Sequence, residues 1–415
     1  MASLDGAKIE KGKFGANALA IGDGVSGLVA AAVAASSLAL GTVANIFNVV
    51  DAENLGINAA YDEDNNVNVY RHITEFYRIA GEGVKLFVLL VPQISTLVEI
   101  CEGANDTLAK KLITEGAGEI RQISLSVNPT GLTTLLNGIP DDVYNAIPKA
   151  QLLYDWADAQ FMPCQILLEG YDYGGNSATA ADLRAIVGVA ADKVSVVIGQ
   201  DYEYAETKTG NAQKMADVGT ALGTVAAANV NQNIGDNERF NLTDALRKTW
   251  IVAALSSHTT NKSQLSSLQT LEDKGYIFGV DYVGMAGVRW NGDHTCVEII
   301  IDAEGNINDH SIAYGRTHDK ARRLLRTVLL PKVKTSQPVD PKTGKLPIGV
   351  VKYFEKLGDT VFGDMETRKE ISAGKTVVDP ESDLIIEKLL KVTYKIVPYG
   401  HVNAIEGTSN LKNAL

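Results

Sequence analysis

The sequence predicts an α/β chain with a mixed sheet core flanked by helices. A smaller α+β C-terminal domain follows, and extended β-forming arms end the chain on both sides. Three observations carry this. Four apolar runs rich in Val, Ile and Leu recur through the first half, each bounded by Gly, Pro, Asn or Asp, as strands buried on both faces are. Stretches with helical spacing separate them. The last quarter changes character: a basic helix, a Pro/Lys/Gly turn, a second amphipathic segment and an extended terminal run.

Residues 1–15 are polar, with Lys8, Lys11 and Lys13 interleaved with Ile9 and Phe14, and read as an extended arm. The core spans 16–330, with room for a peripheral subdomain. It opens with a short strand, Asn17–Ile21, and an alanine-rich helix, Leu28–Leu40. The four strands are Val84–Val91, Glu119–Val127, Cys164–Tyr171 and Lys193–Asp201. Between them, helices are expected at His72–Gly81, Gln93–Ile113, Asp141–Phe161 and Thr179–Ala191. Asp141 and Asp142, just after Pro140, suit a helix start. Gly210–Val230 has helical spacing, 231–240 is a polar loop, and Asn241–Leu255 reads as a helix capped by Asn241 or Thr243. Gly275–Ala303 alternates as a β-rich section, with Asn291-Gly292 as its turn. Residues 331–389 form the C-terminal α+β part, and 390–415 the terminal strand and arm.

The net charge of -12 and pI near 5.1 argue against a general nucleic-acid coat. Between Gly315 and Lys356 eleven Lys and Arg face only three acids, Asp319, Asp340 and Glu355. Cation is therefore concentrated where an acidic protein surface is its expected partner. Cys101, Cys164 and Cys296 are scattered, with no CxxC spacing, which reads as buried thiols in a reducing compartment. Gly24–Val50 carries no charge, but its Gly, Ser and Asn content makes it a buried segment rather than a membrane span. No signal peptide is visible, so a cytoplasmic product is expected.

Gly22-Asp23-Gly24-Val25-Ser26-Gly27 matches G-x-G-x-x-G, and Asp51 and Glu53 lie near the spacing for a ribose-binding acid. Glycines of that kind let backbone approach a pyrophosphate at a helix N-terminus. This motif defines the alternative reading, a dinucleotide-binding oxidoreductase. Against it stand Asp23 within the loop, the weak first strand and the lack of a second cofactor motif. Thr343-Gly344-Lys345 lacks the upstream glycine and downstream hydroxyl of a P-loop. The six histidines form no HxxxH or HExxH; His310 and His318 with Asp309 and Asp319 are the nearest approach to a cluster. No G-x-S-x-G elbow appears. The reading is a non-enzyme without catalytic, metal or cofactor residues.

Several stretches spread over nearly the full length resemble the contractile tail sheath proteins of phages and phage-like injection machines, in the divergent Bacteroidetes-type branch. They are Asp23–Val29, Asp51–Ile57, His72–Pro92, Gly275–Cys296, Tyr314–Val333, Val339–Pro347, Glu370–Pro380 and Leu389–Gly407. Their order and coverage carry the resemblance. It implies a structural subunit that stacks in hexameric rings around an inner tube and contracts to drive the tube through an envelope. The implied partners are further copies of the chain, the tube protein, and baseplate and terminator proteins; nucleic acid and membrane insertion are not implied. Assembly in the bacterial cytoplasm follows. By position, the resemblance makes 1–15 and about 390–406 the intersubunit strands, with Tyr394, Ile396, Val402 and Ile405 as apolar anchors. It puts Ile348–Met365 in the place of the tube-gripping helix, with Lys352, Lys356, Arg368 and Lys369 as tube contacts. A static capsid or tube protein is the weaker structural alternative.

Overall fold

The computed structural model describes residues 22–104, 106–186, 188–409 and 411. The arm expected at 1–15 and the strand expected at 17–21 lie outside the described residues.

The first part contains β1 (Ser26–Ala32), β2 (Val43–Ile46), α1 (Val49–Asn54), α2 (Ala59–Asn65) and α3 (Val69–Ala80). β3 (Leu86–Pro92), α4 (Leu97–Cys101), α5 (Ala109–Glu115) and β4 (Gln122–Ser126) follow. A small hairpin, β5 (Leu135–Leu136) with β6 (Ile139–Pro140), leads into α6 (Asp141–Ala159) and β7 (Gln165–Glu169). Next come β8 (Val194–Val197), β9 (Gly199–Asp201), α7 (Tyr202–Ala205) and α8 (Val218–Ala227). The middle region adds β10 (Ala253–Leu255), β11 (Thr259–Thr260), α9 (Leu265–Asp273), β12 (Gly279–Asp281) and β13 (Val288–Trp290). The C-terminal part has α10 (Ile312–Leu329), α11 (Ile348–Thr367), β14 (Ala373–Val378) and β15 (Val392–Val397).

The main sheet runs β2-β3-β1-β4-β7-β8. Its strands are parallel except β2, which pairs antiparallel with β3 at the edge. This is the expected mixed α/β core. All four apolar runs are strands, and the fourth divides into β8 of the main sheet and β9 of a smaller sheet, β11-β10-β9. Helices cover both faces. On one face Val29 and Ala31 join a core with Leu97, Leu112 and Leu153. On the other, Leu28, Ala30 and Ala32 join Ile73, Phe76 and Leu222.

That alternation corrects the reading of Leu28–Leu40. The first part of the alanine-rich run, to Ala32, belongs to a central strand rather than a helix, and 33–40 are neither. Alanine has the best helix propensity, but a strand buried on both faces between β3 and β4 leaves room for small side chains, and tertiary position overrides propensity. Two further expected helices are absent. The described residues of Thr179–Ala191 hold just a 3-10 turn, at Leu183–Ala185. Asn241–Leu255 is a looped turn ending in β10; Lys248 and Trp250 take positive φ (54° and 53°). Trp250 is thereby turned inward, edge-on to Trp290 at 5.2 Å, with its ring N–H donating to Thr220. Asn291-Gly292 is not the hairpin turn either. β12 and β13 are joined through 282–287, and the Asn291 side chain accepts from the Phe278 amide.

α3 and α8 pack across a glycine seam. A Cβ on Gly219 would lie 2.5 Å from the His72 carbonyl oxygen, and one on Gly223 2.8 Å from that of Phe76. The obstacle is helix backbone, which cannot rotate aside. Gly219→Ala is therefore expected to cost about 1–3 kcal/mol or more through overpacking, although alanine favours the helix. Urea unfolding checks this; an unchanged midpoint would mean that the two helices separate freely.

Beneath this seam lies a buried ionic cluster. Arg71 donates from Nε to Asp217 and from Nη2 to Asp201, both at 2.9 Å, and from Nη1 to Thr249 at 3.0 Å. Glu75 approaches its Nη1 at 3.6 Å and is itself held by Arg78. Burial pushes Asp217 up to about 6, against the pull of Arg71.

Candidate assembly surfaces

Chain composition made α10 the natural docking face for an acidic partner. That partner is the chain's own core. Lys320 pairs with Asp23 and, at 2.7 Å, with Glu370. Arg322 reaches Asp158 at 2.8 Å and Asp319 at 2.6 Å. Arg323 reaches Asp23 at 3.3 Å, and the Arg326 guanidinium lies 3.8 Å above the Phe161 ring. Asp309 and Asp319 share Lys193, at 2.6 and 3.2 Å, and His318 faces Asp309 at 3.1 Å. Burial alone would raise the carboxyls of Asp23, Asp309 and Asp319; these cations hold all three below the usual range. The His310/His318 neighbourhood is thus a set of ion pairs between α10 and the core. The three cysteines are free and buried.

The C-terminal part stands on α10 and α11. Val361, Phe362 and Met365 of α11 pack on Ala321 and Leu325 of α10, with Tyr394 and Ile396 of β15 half-buried against them. β14 and β15 pair antiparallel, from Ala373↔Val397 to Val378↔Val392. They form an isolated two-stranded sheet, and such ribbons are marginal without cover. α11 covers one face: a Cβ on Gly358 would collide with Thr376.

The two edges of this ribbon differ. The outward amides of β14 are already used. Gly374 N–H donates to Glu366 at 2.9 Å, Thr376 N–H to Asp359 at 2.7 Å and Val378 N–H to Glu355 at 3.4 Å, all carboxylates of α11. Alternation in an antiparallel pair then turns the amides of Val392, Tyr394 and Ile396 outward on β15. Among the described residues they meet no acceptor. One edge is closed and the other is open.

After β15 the chain crosses back to the core. The His401 ring stacks on Tyr314 with centroids 5.4 Å apart, and its Nε2 lies 2.9 Å from the Asn231 carbonyl oxygen. Residues 402–409 then carry neither helix nor strand and are exposed. Val402 is 79% and Ile405 90% exposed. The four candidate anchors thus divide, with Tyr394 and Ile396 in the chain's own ribbon and Val402 and Ile405 on the exposed tail.

The four lysine and arginine candidates also divide. Lys352 and Lys356 lie one turn apart on the exposed side of α11. Lys352 is tied to Glu355 at 2.6 Å. Arg368 and Lys369 sit past the far end of α11, with Arg368 about 24 Å from Lys352 and about 18 Å from Lys356 along the axis at 1.5 Å per residue. Arg368 is bound to Glu370 at 3.1 Å. Sequence reasoning missed the edge-capping acids Glu355, Asp359 and Glu366; their recurrence at helical spacing was the available signal.

The glycine motif has the wrong architecture for a dinucleotide. Gly27 lies inside β1, where an added Cβ would approach Leu112 to 2.7 Å. The glycines lead directly into a strand, so the helix N-terminus that would follow them in a dinucleotide site is replaced by β1. Asp51 accepts the Phe47 amide, and Glu53 accepts the Tyr70 hydroxyl. Nothing supports the oxidoreductase alternative.

No curated protein matches the chain. Among solved structures it is similar to the helical sheath of the anti-feeding prophage in its contracted state (14% identity, 99% of each chain covered, TM-score 0.59). A chain of the sixfold-symmetrised anti-feeding prophage baseplate is similar too (14% identity, 99% of this chain and 100% of that, TM-score 0.58). So is a sheath tail protein from Desulfitobacterium hafniense (10% identity, 95% and 100% covered, TM-score 0.51). The family models for the N-terminal and C-terminal domains of DUF2586 match residues 15–294 and 310–415. The chain therefore belongs to the DUF2586 family, and its fold is that of contractile sheath proteins.

Proposed function

We propose that the protein is the structural subunit of a contractile tail sheath, polymerising around an inner tube and shortening to drive it through a target envelope. The observation that carries this is the asymmetric C-terminal ribbon, with its capped β14 edge, open β15 edge and exposed apolar tail. A neighbour's tail adding to β15 supplies the missing backbone partners. Val402 and Ile405 anchor the added strand, and Tyr394 and Ile396 shape the edge that receives it. Ten extended residues reach about 33 Å, enough to cross to an adjacent subunit. Interfaces of this head-to-tail kind do not close, so they build polymers.

The partners of this reading are copies of the chain in stacked hexameric rings, the tube protein, and baseplate and terminator proteins. The particle assembles in the bacterial cytoplasm. In this reading 1–15 and 390–415 are the arms, 16–330 is the sheath core and 331–389 is the part that carries the tube-facing helix. Among the described residues no helix is long and apolar enough to cross a membrane. The role calls for no catalysis and no cofactor. Electron microscopy of the full-length protein, alone and with its tube protein, tests it. Striated tubes of two diameters are expected; globular particles under both conditions would sink the reading.

Tube contact is assigned to Lys352 and Lys356, with Arg368 and Lys369 as a second contact. Exposed ion pairs contribute about 0–1 kcal/mol each, weak enough to release when rings widen. Reversing charge at Lys352 and Lys356 together is expected to lower the salt concentration at which sheath leaves tube, with sheath-only tubes unaffected. Co-sedimentation across a salt series reads this; identical curves would remove these lysines from the contact.

A further inference from the structure

We propose that a halide ion such as chloride binds in a cavity between the core and α10, held by Arg121 and Arg316. The cavity measures about 10 Å³ and is walled by Asp23, Arg121, Val230, Arg316, Asp319 and Arg323. That is about the room one water molecule needs; a halide is a little larger, and a tetrahedral oxyanion does not fit.

The charges in its wall do not balance. Arg316 is 3% exposed and Arg121 8% exposed. Arg316 donates to carbonyl oxygens alone: Ala228 at 3.2 Å, Asn229 at 3.4 Å and Asp23 at 3.1 Å. Arg121 donates from Nη1 to the Gly118 carbonyl oxygen at 2.6 Å. Among the described residues neither guanidinium has a carboxylate within ion-pair distance, and the Nε of each is buried without an acceptor. The two carboxylates in the wall are engaged elsewhere, Asp23 by Lys320 and Arg323 and Asp319 by Lys193 and Arg322.

A buried cation without a counter-ion is strongly unfavourable. Burial lowers both groups to about 10, with Arg323 adding to the effect on each and Asp23, beyond ion-pair distance, opposing it. Both therefore stay charged at neutral pH. A water molecule would leave the charge uncompensated; a monatomic anion would not. The site lies where the lead into β1, the lead into β4 and the start of α10 meet. It thus joins the two family domains at the foot of the N-terminal segment.

Full-length crystals soaked in bromide test this without mutation. An anomalous peak at hydrogen-bonding distance from the Nε atoms of Arg121 and Arg316 is expected. In solution, the melting temperature should rise by about 2 °C per tenfold increase in chloride at constant ionic strength, with sulfate as the balancing anion. Arg121→Gln should abolish that dependence. Absence of the bromide peak, whether water or a carboxylate of another segment fills the cavity, overturns the proposal. So do chloride and sulfate series that coincide.

Discussion

Ending the chain after Pro398 leaves a folded monomer that no longer forms tubes. The cut follows from the division between β15 and the tail. β15 stays, because Tyr394 and Ile396 pack on Phe362 and its neighbours, and removing it would strip the cover from α10 and α11. Among the described residues, those removed give the fold little: the stacking of His401 on Tyr314 and its contact with Asn231. Between subunits they give much more. Burying a Val or Ile side chain stabilises by about 1.5–3 kcal/mol, and the added strand satisfies the open edge of β15 as well. Lost at every subunit, this ends polymerisation. Sedimentation velocity and electron microscopy read the outcome, with circular dichroism checking the fold. Tubes from the truncated chain would refute strand exchange. If the shortened chain instead unfolds, Val402→Asp with Ile405→Asp keeps the full length and tests the anchors alone.

What was legible in the sequence was set by locality. The runs Val84–Val91 and Cys164–Tyr171 announce buried strands because apolar residues dominate them and their polar members, Lys85, Gln165 and Glu169, lie near the ends, whatever lies elsewhere. The start of α6 at Asp141 is equally local. β1 was hidden because an alanine methyl serves a helix and a crowded central strand alike. The loop at Asn241–Leu255 was hidden because Trp250 finds its place against Trp290 and Thr220, remote in the chain. The fate of the basic helix was the least readable part. Its cations are spaced like a docking surface, and Asp23, which neutralises two of them, stands about three hundred residues away. The open β15 edge also needed three dimensions: the extended run was visible, but the carboxylates that close the other edge lie on α11.

Replacing Arg71 by methionine is expected to destabilise the fold by about 3–5 kcal/mol at pH 8, the cost of breaking a buried ion pair from one side. Methionine keeps most of the volume, so the effect is electrostatic. Asp201 and Asp217 lose their cation at 2.9 Å, and Glu75 keeps Arg78 alone. The pH dependence separates this from a packing defect. In the native chain burial has already raised Asp217 to about 6, above its ordinary value of 3.8. A carboxyl raised on folding binds more protons folded than unfolded, so its contribution to stability falls as pH rises between those values. Without Arg71 the upper limit of that window moves higher. The variant should therefore recover much of its deficit between pH 8 and pH 5, as protons replace the lost guanidinium. Chemical denaturation at both pH values measures it. A deficit independent of pH would place the loss in packing against Tyr204, whose ring lies 4.3 Å from the guanidinium, rather than in the three carboxylates that Arg71 holds together.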